Sequence, residues 1–347
     1  MSQGPKVFIT RLLDRSSLDF KVFNPSLNDF RRFKKSKDQM KIVLRLDGVT
    51  YYRFNNISFS NYLLLLGYNK IVIKLVLFFF PRRDFRILNY ALNYYLNRIS
   101  YFFLKSGHKI VFQSSLSLEM HKFLFPRLDW INVDYCIIHN GIDVQKFRSA
   151  EPLNLQGYPK LLISASKFRM NKRLFEAINL INVLKNEYSN IHLHVLGDLD
   201  NLVSEQISNL DLSNTTFHGL VKVEDLSKFY LACDLQLSLS IFDPCPNVVV
   251  EGLACGLPVV TPKQSGAFEL IGSNTDWTVD ERLAFDFYYL HDKFNCISFD
   301  YDAYSLVVKN ILINLNYHKL NASARAMELD IEIVAQKYYT LNINAKN

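Results

Sequence analysis

The segment from residue 243 to residue 262 constrains this chain more than any other, because proline, glycine and apolar residues divide it into three parts. Two prolines near its start fit a loop and a first helical turn, since proline has no N–H and presets φ. The next residues predict a helix that starts near Asn247 and ends at Cys255-Gly256, where glycine suits a left-handed cap. Residues 257–261 then predict a short buried strand.

Two carboxylates, Asp243 and Glu251, flank the start of this predicted helix. Glu251 lies one turn into the helix, on the same face as Asn247. The first N–H groups of a helix have no intrahelical partner and form an anion site. A ligand with phosphate in its middle and hydroxyls on both sides would bind the anion site through its phosphate and the two carboxylates through its hydroxyls. A nucleotide sugar, with its ribose, diphosphate and hexose, has that layout.

The segment resembles the pattern of the GT-B glycosyltransferases, specifically the large retaining family called family 4. That pattern has two glutamates separated by seven residues, followed by Ala-Cys-Gly-Leu-Pro-Val-Val. Residues 254–260 match that stretch in full, and Glu251 matches the second glutamate. Asp243 replaces the first glutamate, and the glycine usual two residues before the loop proline is missing. The resemblance implies an α/β GT-B fold, in which two Rossmann-like domains with parallel sheets face each other across a cleft.

Strands and helices alternate through the second half of the chain, which predicts a parallel, doubly wound sheet with helices on both faces. Ligands bind such sheets at the carboxyl ends of the strands. The predicted strands cover 161–165, 191–196, 215–219 and 234–240, and the predicted helices cover 171–188 and a segment that buries Leu226, Phe229, Tyr230 and Cys233. In the first half, strands are predicted over 6–10, 41–46, 109–113 and 134–138 and a helix over 84–105.

The length of 347 residues exceeds the size at which a single core usually stops growing, so two domains are expected. The stretch from His139 to Phe147 resembles the family's hinge, where Asn-Gly-Val/Ile-Asp precedes the linker. We therefore place an N-terminal Rossmann-like acceptor domain at residues 1–148 and a nucleotide-sugar-binding domain at 149–347. The last helix is expected to return to the N-terminal domain, as the C-terminal helices of GT-B proteins do.

A second group of candidate residues, rich in lysine and arginine, follows the first strand of the predicted C-terminal domain. It resembles the family's loop of Gly-Arg-Leu, three residues and Lys-Gly, with Lys167 at the arginine position and Lys172 at the lysine position. Ser166 and Arg173 replace the two glycines. Positioned cations stabilise the negative charge that develops on a departing nucleoside diphosphate.

The resemblance also implies a role for each candidate residue. Gly219–Leu226 resembles the loop that holds the nucleobase with backbone groups, at Val221. Gly266 to Glu269 resembles the glycine-to-glutamate pattern after the last matched strand. The remaining donor contacts are Lys167, Lys172 and the N–H groups of Asn247 and Val248 on the diphosphate, Asp243 on the sugar hydroxyls and Glu251 on the ribose.

Asp47 follows a predicted strand and is the candidate acceptor-facing carboxylate, which makes Asp243, Lys172 and Asp47 the predicted catalytic residues. An ordinary strand-to-turn Asp-Gly explains Asp47 equally well. Asp198 and Asp200 have the spacing of a metal-binding pair, but GT-B enzymes generally need no metal. We therefore expect no metal and no other cofactor, with the nucleotide sugar as a substrate.

Charge is distributed unevenly along the chain. Residues 1–150 contain 24 Lys and Arg against 10 Asp and Glu, whereas the remaining residues contain 16 against 23. An excess this one-sided favours an anionic partner, and no zinc-finger spacing or RNA-binding motif supports nucleic acid. We expect peripheral contact with an anionic membrane. The apolar stretch 62–80 contains two central lysines, which argues against a spanning helix and leaves a core or interfacial segment.

These observations predict a retaining glycosyltransferase that moves a sugar from a nucleotide diphosphate sugar to an acceptor hydroxyl. The expected acceptor is a lipid-linked or cell-surface glycan precursor. Five cysteines without a Cys-x-x-Cys pair favour a reducing compartment, so the predicted location is cytoplasmic, including the cytoplasmic face of a membrane. A GT-B epimerase acting on a nucleotide sugar and a non-catalytic GT-B scaffold are the alternatives that share this fold and diphosphate site.

Overall fold

The structure, a computed structural model, divides the chain into two units. One unit contains the described residues of Asp19–Phe112 and Leu118–Cys136, and the other contains Gln113–Ser117 and those of Ile137–Asn347. The described residues are 21–23, 42–46, 99–241, 243–281 and 299–344. Four predictions lie outside them: the strand over 6–10, Asp47, the apolar stretch 62–80 and most of the helix over 84–105.

A four-stranded sheet contains the strands of the first half, in the order β1-β2-β3-β4. β1 pairs with β2 and β2 with β3, both in parallel. The predicted strands over 41–46, 109–113 and 134–138 are confirmed to within a residue at each end. The strands are β1 (Lys21–Phe23), β2 (Ile42–Leu46), β3 (Lys109–Phe112) and β4 (Tyr135–Ile137), and helix α1 (Ser115–Leu124) follows β3.

A six-stranded sheet forms the second half, in the order β10-β9-β8-β5-β6-β7, and all its pairs are parallel. The chain therefore starts at a central strand, builds one side and then crosses to the other. The point where the order reverses lies between β5 and β8, and the predicted doubly wound sheet is confirmed. The strands are β5 (Lys160–Phe168), β6 (His192–Leu199), β7 (Thr215–Gly219), β8 (Leu235–Leu237), β9 (Val259–Pro262) and β10 (Thr278–Val279).

Helices cover this sheet and bury its apolar strands. The signature segment folds as predicted, since its helix runs from Asn247 to Ala254 and Gly256 has φ +77° just beyond it. The helices after α1 are α2 (Val144–Arg148), α3 (Leu174–Leu184), α4 (Asn201–Ile207), α5 (Val223–Ala232), α6 (Asn247–Ala254), α7 (Ala267–Ile271), α8 (Tyr301–Ile313), α9 (Leu315–Glu328) and α10 (Ile331–Asn344).

Two strands are longer than predicted, and this moves two candidate residues out of loops. A register shift between Ser164 and Lys167 lets β5 continue to Phe168. β6 continues through Gly197, whose φ of +137° and close approach to the Ala165 carbonyl exclude a side chain. Lys167 and Asp198 are therefore paired strand residues rather than loop residues.

The last helix packs beside the stretch that resembles the hinge. Ile142 forms a parallel bridge with Asp330, directly before α10. A Cβ on Gly141 would lie 2.9 Å from Val334 Cγ2, so only glycine allows this approach. These residues all belong to one unit. The division at residue 148 and the return of the last helix to the N-terminal domain remain predictions.

None of the described helices is both long and apolar enough to span a bilayer. Within the same residues, no group of three or more His, Cys, Asp or Glu side chains is arranged to hold a metal ion. The described cysteines, at positions 136, 233, 245 and 255, form no disulfide.

Candidate active site

The loops that follow β5 and β8 meet at the reversal point of the second sheet. The backbone N–H of Ile241 donates to the Asn171 carbonyl at 3.3 Å. Beside this contact, Lys172 Nζ donates to Asp243 Oδ2 at 2.6 Å. The two side chains remain 24% and 21% exposed, so a ligand can reach both. Two predicted catalytic residues, 71 positions apart in the chain, are thus joined where doubly wound sheets bind ligands.

Arg173 determines the backbone conformation directly after Lys172. Its φ of +55° is left-handed, which explains why the resembled loop has glycine at this position. Here the arginine side chain is 3% exposed and forms an ion pair with Glu281. Tyr304 also donates to Glu281, at 2.7 Å, and the guanidinium lies 5.5 Å from the Phe299 ring centroid. A buried charge network therefore holds a conformation that glycine would adopt without strain.

Gly266 holds the loop that carries Asp243. Its N–H donates to the Asp243 carbonyl at 2.9 Å. A Cβ at Gly266 would lie 1.8 Å from the Pro244 carbonyl oxygen, a distance that no side chain tolerates. The glycine of the predicted glycine-to-glutamate pattern is therefore required by backbone packing against the Asp243 loop.

The N-terminus of α6 points its first N–H groups toward this site. Pro246 is the N-cap and no side chain caps the helix. Asn140 Nδ2 donates to Asn247 Oδ1 at 2.7 Å and to the Cys245 carbonyl at 3.3 Å. Asn140 thus orients Asn247 from the stretch that resembles the hinge. An uncapped helix start favours an anion, as predicted for Asn247 and Val248.

A buried glutamine attaches α6 to the sheet. Gln236, on β8, donates through Nε2 to the Val248 carbonyl at 2.9 Å. A Cβ on Gly252 would lie 1.8 Å from Gln236 Oε1, so glycine lets the helix approach the strand this closely. This contact fixes the height of the helix start above the sheet.

Glu251 lies in a different environment from Asp243. It is 7% exposed and accepts a hydrogen bond from Tyr230 Oη at 3.3 Å. Tyr230 Oη lies 2.6 Å from Ser164 Oγ. Burial, followed by the charge of Glu251, raises the pKa of Tyr230 well above its ordinary value, so the phenol stays protonated.

The other candidate residues occupy separate positions. Val221 packs against the small apolar cluster that contains Tyr230. Lys167 Nζ lies 3.7 Å from Asp200 Oδ2, and Asp200 caps helix α4 through the Leu202 N–H. Asp200 therefore has a structural role, and the structure does not join Lys167 to the Lys172–Asp243 pair. Asp47 lies outside the described residues.

Sequence reasoning missed three residues that organise the site. The sequence predicts Tyr230 only as a member of a buried helix and Gln236 only as a member of the strand over 234–240. Asn140 lies in the stretch that resembles the hinge, and the sequence indicates no separate role for it. A buried polar residue in an apolar element requires a partner, and that signal was present in Gln236.

Comparisons with known proteins identify the matched domain. Residues 145–286 match the model of the family described as glycosyl transferases group 1. Among curated proteins, the chain is 28% identical over 145 residues to alpha-monoglucosyldiacylglycerol synthase of Streptococcus pneumoniae, covering 38% of this chain and 33% of that protein. It is 22% identical over 147 residues to an uncharacterized glycosyltransferase of Methanocaldococcus jannaschii, covering 39% and 38%. The chain thus spans little more than a third of the length of these curated relatives.

Solved structures show the same fold over nearly the whole chain. A glycosyltransferase from Rickettsia africae superposes with a TM-score of 0.59 at 15% identity, covering 100% of this chain and 84% of that chain. HepE from Anabaena, solved in complex with UDP-glucose, gives a TM-score of 0.56 at 14% identity, covering 97% and 81%. WaaG, described as a glycosyltransferase involved in lipopolysaccharide biosynthesis, gives 0.57 at 15% identity, covering 89% and 79%. The chain therefore has the GT-B fold, and its residues 145–286 match the group 1 glycosyltransferase model.

Proposed function

We propose that this protein is a retaining glycosyltransferase that moves a sugar from a nucleotide diphosphate sugar to an acceptor hydroxyl. The observation that carries the proposal is the Lys172–Asp243 pair at the reversal point of the sheet, 2.6 Å apart and partly exposed. Glu251 stands on the adjoining helix α6, so the first N–H groups of this helix come between the two carboxylates in the chain. That order matches sugar, diphosphate and ribose.

The pair supplies both binding and transition-state stabilisation. A lysine ammonium has three N–H donors. One donates to Asp243, and the others are suited to a diphosphate oxygen whose negative charge grows as the bond to the sugar breaks. Asp243 accepts from the sugar hydroxyls, while the N–H groups of Asn247 and Val248 complete the diphosphate contacts. Lys167 joins them only if its 42% exposed side chain leaves Asp200, 3.7 Å away. The family resemblance supports attack on the face from which the diphosphate leaves, without a protein nucleophile and without a metal.

The proposed acceptor is a lipid-linked or cell-surface glycan precursor. Two observations support it. One is the basic excess of residues 1–150, and the other is that one relative is named a monoglucosyldiacylglycerol synthase and one structural neighbour is described as involved in lipopolysaccharide biosynthesis. The proposed location is the cytoplasm or the cytoplasmic face of an anionic membrane. Sedimentation with vesicles of phosphatidylglycerol and phosphatidylcholine tests this contact. We expect binding that rises with the anionic fraction and falls with added salt.

A panel of UDP-, GDP- and ADP-sugars tests the activity, with nucleoside diphosphate release measured with and without lipid-linked acceptors. We expect release with one base, dependent on acceptor and insensitive to EDTA. NMR of the purified product decides the stereochemistry, since a retaining enzyme gives the anomeric configuration of the donor. A free epimer together with nucleotide would support the epimerase alternative. Binding without turnover would support the scaffold alternative.

A further inference from the structure

A short chain of hydroxyl groups leads through the interior of the C-terminal unit to Glu251. Ser164 Oγ, on β5, lies 2.6 Å from Tyr230 Oη, and Tyr230 Oη lies 3.3 Å from Glu251 Oε2. Tyr230 is fully buried on α5, and Ser164 is 9% exposed. Three elements that are far apart in sequence thus place hydroxyl groups behind the carboxylate proposed to bind the ribose.

The direction of this chain follows from the number of protons. A carboxylate only accepts hydrogen bonds, and a phenol has one O–H to donate. Since burial keeps Tyr230 protonated, Tyr230 donates to Glu251 and Ser164 donates to Tyr230. A hydrogen bond to a charged acceptor is stronger than one between neutral groups. Both donors are therefore directed toward Glu251.

We propose that Tyr230 is a positioning residue that fixes the Glu251 carboxylate for recognition of the ribose hydroxyls. This inference rests on the proposed donor site and assigns it a specificity determinant. A glutamate side chain has several rotatable bonds, and ordering it upon ligand binding costs conformational entropy. A carboxylate already oriented by a buried donor avoids that cost.

The packing around Tyr230 makes it a rigid support. Its ring belongs to an apolar cluster with Leu162, Leu196, Cys233 and Leu257. Val221, in the loop proposed to hold the nucleobase, packs against the same cluster. The base end and the ribose end of the proposed donor site therefore rest on one set of side chains, and Tyr230 is the member that reaches Glu251 with a polar group.

The test compares UDP with 2′-deoxy-UDP by titration calorimetry, or GDP with 2′-deoxy-GDP if the donor panel identifies guanosine. We expect the wild type to bind the ribonucleotide about tenfold or more tightly than the deoxy analogue, because the analogue lacks a hydroxyl that donates to Glu251. Tyr230→Phe should lose most of this preference. Its affinity for UDP should fall by about three- to tenfold, and its affinity for the deoxy analogue should change by less than about twofold.

Cys233→Ala is the matched control, because Cys233 is buried in the same cluster but makes no contact with Glu251 in the described hydrogen bonds. It should lower the melting temperature and leave the ribose preference intact. If Tyr230→Phe does not fold, Ser164→Ala replaces it, with a smaller loss of preference in the same direction. A folded Tyr230→Phe that keeps the full preference, or weakens both nucleotides equally, overturns the positioning role alone. A wild type that binds none of the nucleoside diphosphates overturns the donor site as well.

Discussion

The two carboxylates of the site, Asp243 and Glu251, lie eight positions apart in the chain and in opposite environments. Asp243 is partly exposed and held by the cation of Lys172. Glu251 is nearly buried and held by the neutral phenol of Tyr230. The end proposed to bind the sugar and diphosphate thus depends on charge, whereas the end proposed to bind the ribose depends on burial and hydrogen-bond direction.

This difference matches what each end is proposed to do. Charge that changes during a reaction is stabilised by a cation close to the ligand. A ribose is neutral and does not change during transfer, so a fixed acceptor suffices. Substitutions at the Asp243 end should therefore act mainly on turnover, and substitutions at the Glu251 end mainly on nucleotide affinity.

The largest effect is expected for Arg173, whose buried ion pair supports the loop of Lys172, and it concerns the free energy of unfolding. Arg173→Gly relieves the left-handed strain but leaves the carboxylate of Glu281, whose side chain is 2% exposed, without its cation. Removing one partner of a buried ion pair costs about 3–5 kcal/mol of folding free energy. Urea unfolding, monitored by circular dichroism, measures this loss of folding free energy. Arg173→Gly combined with Glu281→Gln should recover part of the loss, and a fully stable single variant would contradict the buried-pair account.

Asp243→Asn should lower transfer by on the order of 100-fold, because it removes the carboxylate from both Lys172 and the sugar hydroxyls. Asp243→Glu should also be impaired, although it restores the usual residue, since the loop fits the shorter side chain. Steady-state transfer rates decide both. Asp211→Asn is the matched control, because Asp211 pairs with Lys185 at the same 2.6 Å on an exposed surface. Full activity of Asp243→Asn would favour the scaffold alternative.

Glu251→Gln keeps the shape of the side chain but removes the charge that is proposed to accept ribose hydrogen bonds. Nucleotide affinity should fall by about 1.5–3 kcal/mol. Titration calorimetry of the folded variant measures the nucleotide affinity. The kcat at saturating donor should change less than this affinity does. An unchanged affinity would remove Glu251 from the site and weaken the contrast between the two ends.

The smallest of the four effects is expected for Lys172→Ala, about tenfold in turnover, because the α6 N-terminus still faces the diphosphate. The donor's KM should rise by a smaller factor, since leaving-group charge grows toward the transition state. Initial rates over a range of donor concentrations separate the two constants. A rise in KM alone would mean that Lys172 only binds, and both ends of the site would then act alike.

Much of the second sheet could be predicted from the sequence, because apolar runs and their alternation report burial directly. The predicted strand over 215–219 matches the structure at both ends, and the signature helix starts at Asn247 as predicted and ends at Ala254, just before the capping residues. The ends of β5 and β6 could not be predicted, because β5 continues past a register shift between Ser164 and Lys167 and β6 continues through the positive φ of Gly197. Such features depend on what the neighbouring strand does, and local periodicity does not contain that information.

By itself, the sequence determined the residue types of the site and their order, since the 243–262 segment already contained two carboxylates, a helix start and a capping glycine. Only the tertiary structure decided which groups meet. It pairs Lys172 with Asp243, and it places Lys167 beside Asp200 instead of beside that pair. It also brings the Tyr230 hydroxyl within hydrogen-bond distance of Glu251. The physical reason is that these contacts cross between elements, so the strand order and the packing of α5 and α6 set their distances, and spacing along the chain does not.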